Sequence, residues 1–398
     1  MNFSNKNALS LEEKRIISNI FTEKYYKVTF FNGVPYVSHL VLDLFNKTGI
    51  LGLLKKTYIS ADEIIVKLNF VPKAKFALEW MLLFLNQHNF LKKIENNGVP
   101  QYYYESRCNI EPQKFFTKIV KLDEGIIPSC NLIEYVIREC PNFFKGLKSG
   151  FEIVFASNKM ALWRDYFSNN NSGYRVYNSL GAFGVLKWFL QKNKIKLLEL
   201  GGGMGSASSL LIDELKQKNM LCRIGEYIFS DISPLFLRLG NIAVMNHAPQ
   251  DFQYTLKKID FNTPLVEQDI KENDIDIVYG VNALHIAKNL IKTSKEIYKV
   301  IKPGGLLIIS ESVRTNPTDT LIQEIIFNLL DDYSNVELEP CLRTTPGFLP
   351  YEQWRKIFKT AGFKNIEIIL NTDGLNFDNN SRIYPKLAAV IKGVKGVN

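Results

Sequence analysis

Lys196-Leu-Leu-Glu-Leu-Gly-Gly-Gly-Met-Gly-Ser206 decides the fold. Its first half is a short apolar run that stops on an acidic residue, Glu199, and reads as a buried strand. Glycines at 201, 203 and 205 then allow a sharp turn and the close approach of a ligand where a Cβ would collide. A helical pattern from Ala207 to Lys216 follows directly, so the loop faces unpaired N–H groups of a helix start. This is a nucleotide-binding strand-turn-helix unit. A dinucleotide loop has the form G-x-G-x-x-G, which would put the third glycine at 206. Here position 206 is serine and the third glycine comes one place early. A bound NAD is therefore not expected.

The rest of the chain bounds the reading. At 398 residues, with 46% hydrophobic and 22% charged side chains, it has the composition of a globular protein large enough for two domains. Charges interrupt any apolar run between Met1 and Ile20, which argues against a signal peptide. No stretch reads as a membrane span, and a cytoplasmic protein without membrane contact is expected. The five cysteines (108, 130, 140, 222 and 341) form no C-x-x-C pair, which points to reduced thiols and no metal site. A formal charge of +9 is a mild basic excess, ordinarily solvated surface.

Before the glycine loop the pattern is helical, with breaks read at Asn32-Gly33 and Gly49. Ser60-Ala-Asp-Glu63 is a capping box that starts a helix. A longer apolar helix spans Lys73 to His88, and Asn97-Gly98 lies between two strand-like runs as a hairpin turn. Helix, turn, helix and hairpin make a winged-helix pattern, which invites a DNA-binding reading. The second helix speaks against that reading. Phe76-Ala-Leu-Glu-Trp-Met-Leu-Leu-Phe-Leu85 is apolar almost all round and belongs in a core or a dimer contact. Helices broken near Pro112, Pro128 and Pro141 follow, then the polar run Asn169-Asn170-Asn171-Ser172-Gly173. That run sets the expected division into a helical domain, 1–170, and a nucleotide-binding domain, 171–398. A helix from Tyr174 to Gln191 leads into the second domain; Tyr174 and Tyr177 either line the ligand's mouth or pack in the core. Strand patterns at 195–200, 223–230, 252–260, 275–279, 305–311, 364–370 and 386–391 alternate with helices. The fold class is therefore α/β, a Rossmann-like, seven-stranded, mostly parallel sheet covered on both faces.

Chemistry-bearing residues fall at the carboxyl ends of those strands, where such sheets bind ligands. The second strand ends on Asp231-Ile232, placed for ribose hydroxyls or, as the bland alternative, for capping a helix. The third ends on Asp260-Phe261, a carboxylate for an adenine amino group and a ring to stack on it. The fourth ends on Asn282-Ala-Leu-His285, and the fifth on Glu311. Histidine is suited to general-base work near neutral pH, and a neighbouring carboxylate can fix its tautomer and support its cation. The alternative is a capping histidine and a surface glutamate.

The glycine loop is similar to that of class I S-adenosylmethionine-dependent methyltransferases. The ordered series Asp231-Ile-Ser-Pro, Asp260-Phe261, Asn282-Ala-Leu-His285, Lys302-Pro-Gly-Gly305, Glu311, Arg343-x-x-Pro-Gly, Gln353-Trp354 and Ala361-Gly-Phe363 resembles the C-methyltransferase domains of polyketide and mixed polyketide–peptide synthases. The resemblance covers about residues 170–371. It implies S-adenosylmethionine as cofactor, held by Glu199, Gly201, Gly203, Gly205, Asp231, Ile232, Asp260, Phe261 and Asn282. It also implies a His285–Glu311 pair that deprotonates the carbon between two carbonyls of a carrier-bound β-ketoacyl chain, with an acyl carrier protein as partner. The N-terminal part resembles small-molecule O-methyltransferases, which form homodimers through a winged-helix domain and also place a histidine after the fourth strand. A phenolic or enolic hydroxyl therefore stays open as the acceptor, as does a binding protein that has kept the fold and lost the chemistry.

Overall fold

The structure is a computed structural model that describes residues 9–105, 109–188, 194–375 and 384–397. Its packing groups the chain into two units. One is helical and comprises residues 23–173 and 318–335; the other contains the sheet, residues 174–317 and 336–398, and takes in the first helix, Leu11–Ile20. The expected division at 170/171 is linear, whereas the observed one has two exchanges. Each has a visible cause. In the sheet unit, Glu13 of the first helix pairs with Lys187, and Gly374 fits against that helix so closely that a Cβ would lie 2.5 Å from the Lys14 carbonyl oxygen. In the helical unit, fully buried Glu324 accepts from the Trp80 indole at 3.1 Å and from the Tyr333 hydroxyl at 3.1 Å.

Within the helical unit the capping box at Ser60 starts the helix Ala61–Leu68 as expected. The apolar helix is Lys75–Gln87, and it buries Ala77, Leu78, Trp80, Met81, Leu82, Phe84 and Leu85. Lys73 and Lys75 at its start pair with Asp331 and Asp62. A hairpin of β1 (Lys92–Asn96) and β2 (Val99–Tyr103) turns at Asn97-Gly98, both with positive φ. Two expected breaks are absent. At Asn32-Gly33 the helix continues through a π turn, Lys27–Asn32, into Gly33–Thr48; Pro141 sits inside the helix Ile127–Phe144. Pro141 lies in the last turn of that helix, where its missing N–H costs one i→i−4 bond and the helix ends within three residues. The run Leu11–Thr48 is long and apolar enough to cross a membrane by length and composition, contrary to the sequence expectation, but 67% of its apolar window is buried among the protein's own side chains.

The sheet unit contains β3 (Ile195–Glu199), β4 (Ile224–Asp231), β5 (Tyr254–Lys258), β6 (Ile275–Val281), β7 (Ile301–Ser312), β8 (Lys364–Leu370) and β9 (Ala388–Val394). Their order is β5-β4-β3-β6-β7-β9-β8, with β9 antiparallel to both neighbours and the other pairings parallel. The order reverses between β3 and β6. That reversal opens a crevice at their carboxyl ends, where the glycine loop and the His285 turn both emerge. One face of the sheet is sealed by a core that includes Leu198, Val278, Ile309, Trp354 and Phe358.

Two glycines of the helical unit test this packing. Gly150 opens the short helix Gly150–Val154, and a Cβ there would lie 1.6 Å from the carbonyl oxygen of Leu329. Gly52, inside the helix Ile50–Leu54, has nothing within 4 Å of the same position. Gly150→Ala is expected to destabilise by about 1–3 kcal/mol through overpacking. Gly52→Ala is expected to stabilise by about 0.5–1 kcal/mol. Denaturant unfolding of the two full-length variants checks the contrast, and a neutral Gly150→Ala would contradict the docking of residues 318–335.

Candidate active site

At the end of β3 the backbone turns through Gly201 (φ 65°), Gly203 (φ 56°) and Gly205 (φ 80°), a region that favours glycine over any L residue. A Cβ on Gly201 would lie 2.7 Å from that of Ala283, so the loop lies directly against the turn that carries His285. Over Gly203, by contrast, a Cβ would meet nothing within 4 Å. The loop is thus packed beneath Gly201 and open at Gly203, a cradle that a ligand can enter.

Asp231 ends β4 beside that opening. Its carboxylate accepts from the Gly203 N–H at 3.0 Å and from the Ser233 N–H at 2.8 Å, and burial raises its pKa above the usual carboxylate value. The two bonds use different oxygens, and with the Ile232 N–H as a further donor the carboxylate still keeps acceptor capacity for a ligand hydroxyl. Ile232 beside it is exposed. Asp260 caps its own turn, accepting from the Asn262 N–H, and the Phe261 ring lies 3.9 Å from where a Gly201 Cβ would be.

Glu199 is placed differently. Its Oε2 accepts from Ser208, in the first turn of the helix Ser206–Gln217, and from the Tyr227 hydroxyl at 2.5 Å, all three groups being buried. It is turned into the core, where it ties the helix after the loop to β4. Burial pushes its carboxyl up to about 7. Neither Ser208 nor Tyr227 stands out in the sequence, because both fall at ordinary core positions of a helix and a strand.

Beyond β6, Asn282 takes a left-handed φ of 46° and accepts from the Ser312 N–H at 2.7 Å, joining the ends of β6 and β7. The one-turn helix Leu284–Ile286 follows. Glu311, on β7, is fully buried; its Oε1 accepts from the Ala283 N–H (3.2 Å) and the Leu284 N–H (3.0 Å), and its Oε2 lies 2.9 Å from Nδ1 of His285. An ionised carboxylate can only accept, so Nδ1 carries the proton and Nε2 is the basic nitrogen. The Phe348 ring packs on the imidazole with 4.2 Å between centroids. Arg343, 2% exposed, donates to the carbonyl oxygens of His285 (2.7 Å) and Ala287. Sequence reasoning marked Arg343 only as part of a motif and missed Phe348 altogether; a pattern of one buried arginine and one phenylalanine far along the chain does not say what they touch.

Tyr174 reaches this cluster from the helix Ser172–Trp188. Its hydroxyl bonds Asn282, and burial followed by the nearby Glu311 charge keeps it protonated far above neutral pH. Tyr177 is buried with its ring 6.0 Å from that of Tyr174, and its backbone carbonyl accepts from Ser310 at 2.8 Å. The structure therefore brings the glycine loop, Asn282, Tyr174, His285 and Glu311 together, puts Asp231 at Gly203 and Phe261 near Gly201, and leaves Glu199 turned into the core.

Residues 198–307 match the family model of a methyltransferase domain. The polyketide synthase PksR of Bacillus subtilis is 28% identical over 72% of this chain, which corresponds to 11% of that protein. The chain thus spans about a tenth of the length of the curated relatives it matches first. Among solved structures, the CurJ carbon methyltransferase superposes with a TM-score of 0.74 at 18% identity, covering 97% of this chain and 99% of that one. The CMeT domain of the citrinin polyketide synthase gives 0.77 at 14%, covering 96% and 94%. The shared fold therefore extends over the helical unit as well, beyond the half of the chain on which the sequence motifs lie. The fold is that of a class I methyltransferase, and the open cradle at Gly203 with the Asp231 acceptors fits S-adenosylmethionine.

Two measurements follow. Asp231→Ala should weaken S-adenosylmethionine binding by about 1.5–3 kcal/mol, the worth of charge-assisted bonds, as read by calorimetry; an unchanged affinity would remove Asp231 from the site. Glu199 is raised in the folded protein, so its contribution to stability is full below its ordinary value of 4.5 and declines as pH rises towards about 7. Relative to Glu199→Gln, the native protein should lose unfolding free energy as pH rises from about 4.5 to about 7. Parallel pH dependences in the two would contradict the buried acid.

Proposed function

We propose that this S-adenosylmethionine-dependent methyltransferase methylates an acidic carbon, of the kind that lies between two carbonyls in a β-ketoacyl chain, with His285 as the base and Glu311 as its orienter. The observation that carries this reading is the bond between the His285 imidazole and a carboxylate with no exposure to solvent.

When bound, the cofactor supplies a methyl group on a sulfonium, to be displaced in line. The protein's own part is to place the acceptor, exclude water and take one proton. Nε2 of His285 accepts the proton from the acceptor carbon, whose electron pair becomes the new bond to the methyl carbon. Glu311 holds the ring by Nδ1 and stabilises the imidazolium that results, without itself being protonated. Tyr174, a neutral donor at neutral pH, stands beside the pair and is suited to the enolate oxygen that develops. Carbon is preferred to oxygen because the sequence relative is a polyketide synthase and the two structural neighbours are described as carbon methyltransferase domains. On the same ground the acceptor is proposed to arrive on an acyl carrier protein.

His285→Ala should leave cofactor affinity nearly unchanged while lowering turnover by roughly 10²–10⁴-fold. Glu311→Gln should lose less, because the imidazole stays while its tautomer and cation lose support. Product mass spectrometry with carrier-bound and free β-ketoacyl thioesters, together with deuterium exchange at the acceptor carbon, reads both steps. Full methyl transfer by His285→Ala would leave an acceptor already ionised in solution as the better account.

A further inference from the structure

We infer that Arg343 is a positioning residue for the base, holding the His285 turn from the end opposite to Glu311. The inference rests on the assignment of His285 above. The turn from Ala283 to Ala287 is a single short helix, Leu284–Ile286, with unpaired donors at one end and unpaired acceptors at the other. Glu311 takes the N–H groups of Ala283 and Leu284 on one carboxylate oxygen. The Arg343 guanidinium donates one nitrogen to the His285 carbonyl and the other to the Ala287 carbonyl. A negative group thus closes the amino end and a positive group the carboxyl end, the pairing that a helix dipole favours. Both groups are shielded from water, where such interactions are strongest. The planar fork reaches two carbonyls at once, which a lysine ammonium cannot do in one geometry.

The consequence for the imidazole is specific. Glu311 fixes its Nδ1 and the amino end of its turn, and Phe348 packs on its face, but neither bonds the carboxyl end of the turn, which begins at the His285 carbonyl. Arg343 bonds the carbonyl of His285 itself, so it holds that end. Phe348 comes from the same segment as Arg343, five residues on, so the two ends of one loop hold the backbone and the ring of the base. A displacement of about 1 Å at such a site costs on the order of 100-fold in rate.

The test compares Arg343→Met, which keeps bulk and loses the donors, with Arg343→Lys, which keeps a charge and one point of donation. Turnover of a β-ketoacyl thioester should fall on the order of 100-fold in Arg343→Met and by less in Arg343→Lys, with S-adenosylmethionine affinity by calorimetry unchanged in both. In a His285→Ala background Arg343→Met should cause no further loss, because the residue acts only through the imidazole. A further loss of similar size in that background, or a drop in cofactor affinity that parallels turnover, would overturn the inference in favour of general support of the fold. If Arg343→Met does not fold, Arg343→Lys carries the same comparison, and unchanged turnover in it together with unchanged affinity overturns the two-carbonyl clamp. His285→Ala measured alone separates the failures: if it retains turnover the base assignment falls, whereas its inactivity beside a fully active Arg343→Met leaves the base standing and removes Arg343.

Discussion

A carboxylate without solvent, Glu311, sets the terms for everything around it. A buried charge is tolerated only when it is hydrogen-bonded on all sides, and here the donors are two backbone N–H groups and an imidazole. That requirement places the Ala283–Leu284 turn against β7 and with it His285. It also explains the left-handed Asn282, whose φ of 46° lets the chain leave β6 and bend back over Glu311 while its side chain ties down β7. Asparagine tolerates that region better than most residues, which is why the bend can be made without a glycine. The glycine loop then has to accommodate the turn, and Gly201 is the residue that lets it pass.

Sequence legibility followed the range of the physics. The seven strands were readable because each is a local pattern of period or apolar run, and every one was found within a few residues of its expected limits, β7 and β9 extending furthest beyond them. Strand ends carried the site residues for the same reason: Asp231, Asn282 and Glu311 are positioned by the strands they end. What stayed hidden was set by contacts distant in sequence. Glu199 has the position of a ligand-binding acid, yet its partners Tyr227 and Ser208 draw it into the core, and no local signal announces that. Arg343 and Phe348 reach His285 from about sixty residues away. Pro141 and Asn32-Gly33 misled in the other direction, because a local breaker is overruled where the helix around it is held by its tertiary contacts, the π turn absorbing one of them and the last helical turn the other.

The fold does more than house the pair. The reversal of strand order between β3 and β6 puts a ligand loop and a base on adjacent strand ends, so a donor and an acceptor can meet without either element moving far. Tyr174 on the helix Ser172–Trp188 closes the polar cluster with a hydroxyl that stays neutral where a carboxylate already supplies the charge, and the Tyr177 ring packs beside it.

The return of residues 318–335 to the helical unit has a consequence for how the protein comes into being. Residues 23–173 leave the ribosome with the Trp80 indole and the Gln87 amide still lacking the partners that Glu324 and Thr320 supply. At ordinary rates of synthesis, 5–20 residues per second, that wait lasts roughly ten to thirty seconds. Throughout it the apolar helix Lys75–Gln87 has an incomplete cover. The unit is therefore finished only after most of the sheet has been made, and its nascent form is a natural client for chaperones. A cut at the Asn-rich run, however natural it looks in the sequence, would release a helical piece permanently short of its own last segment.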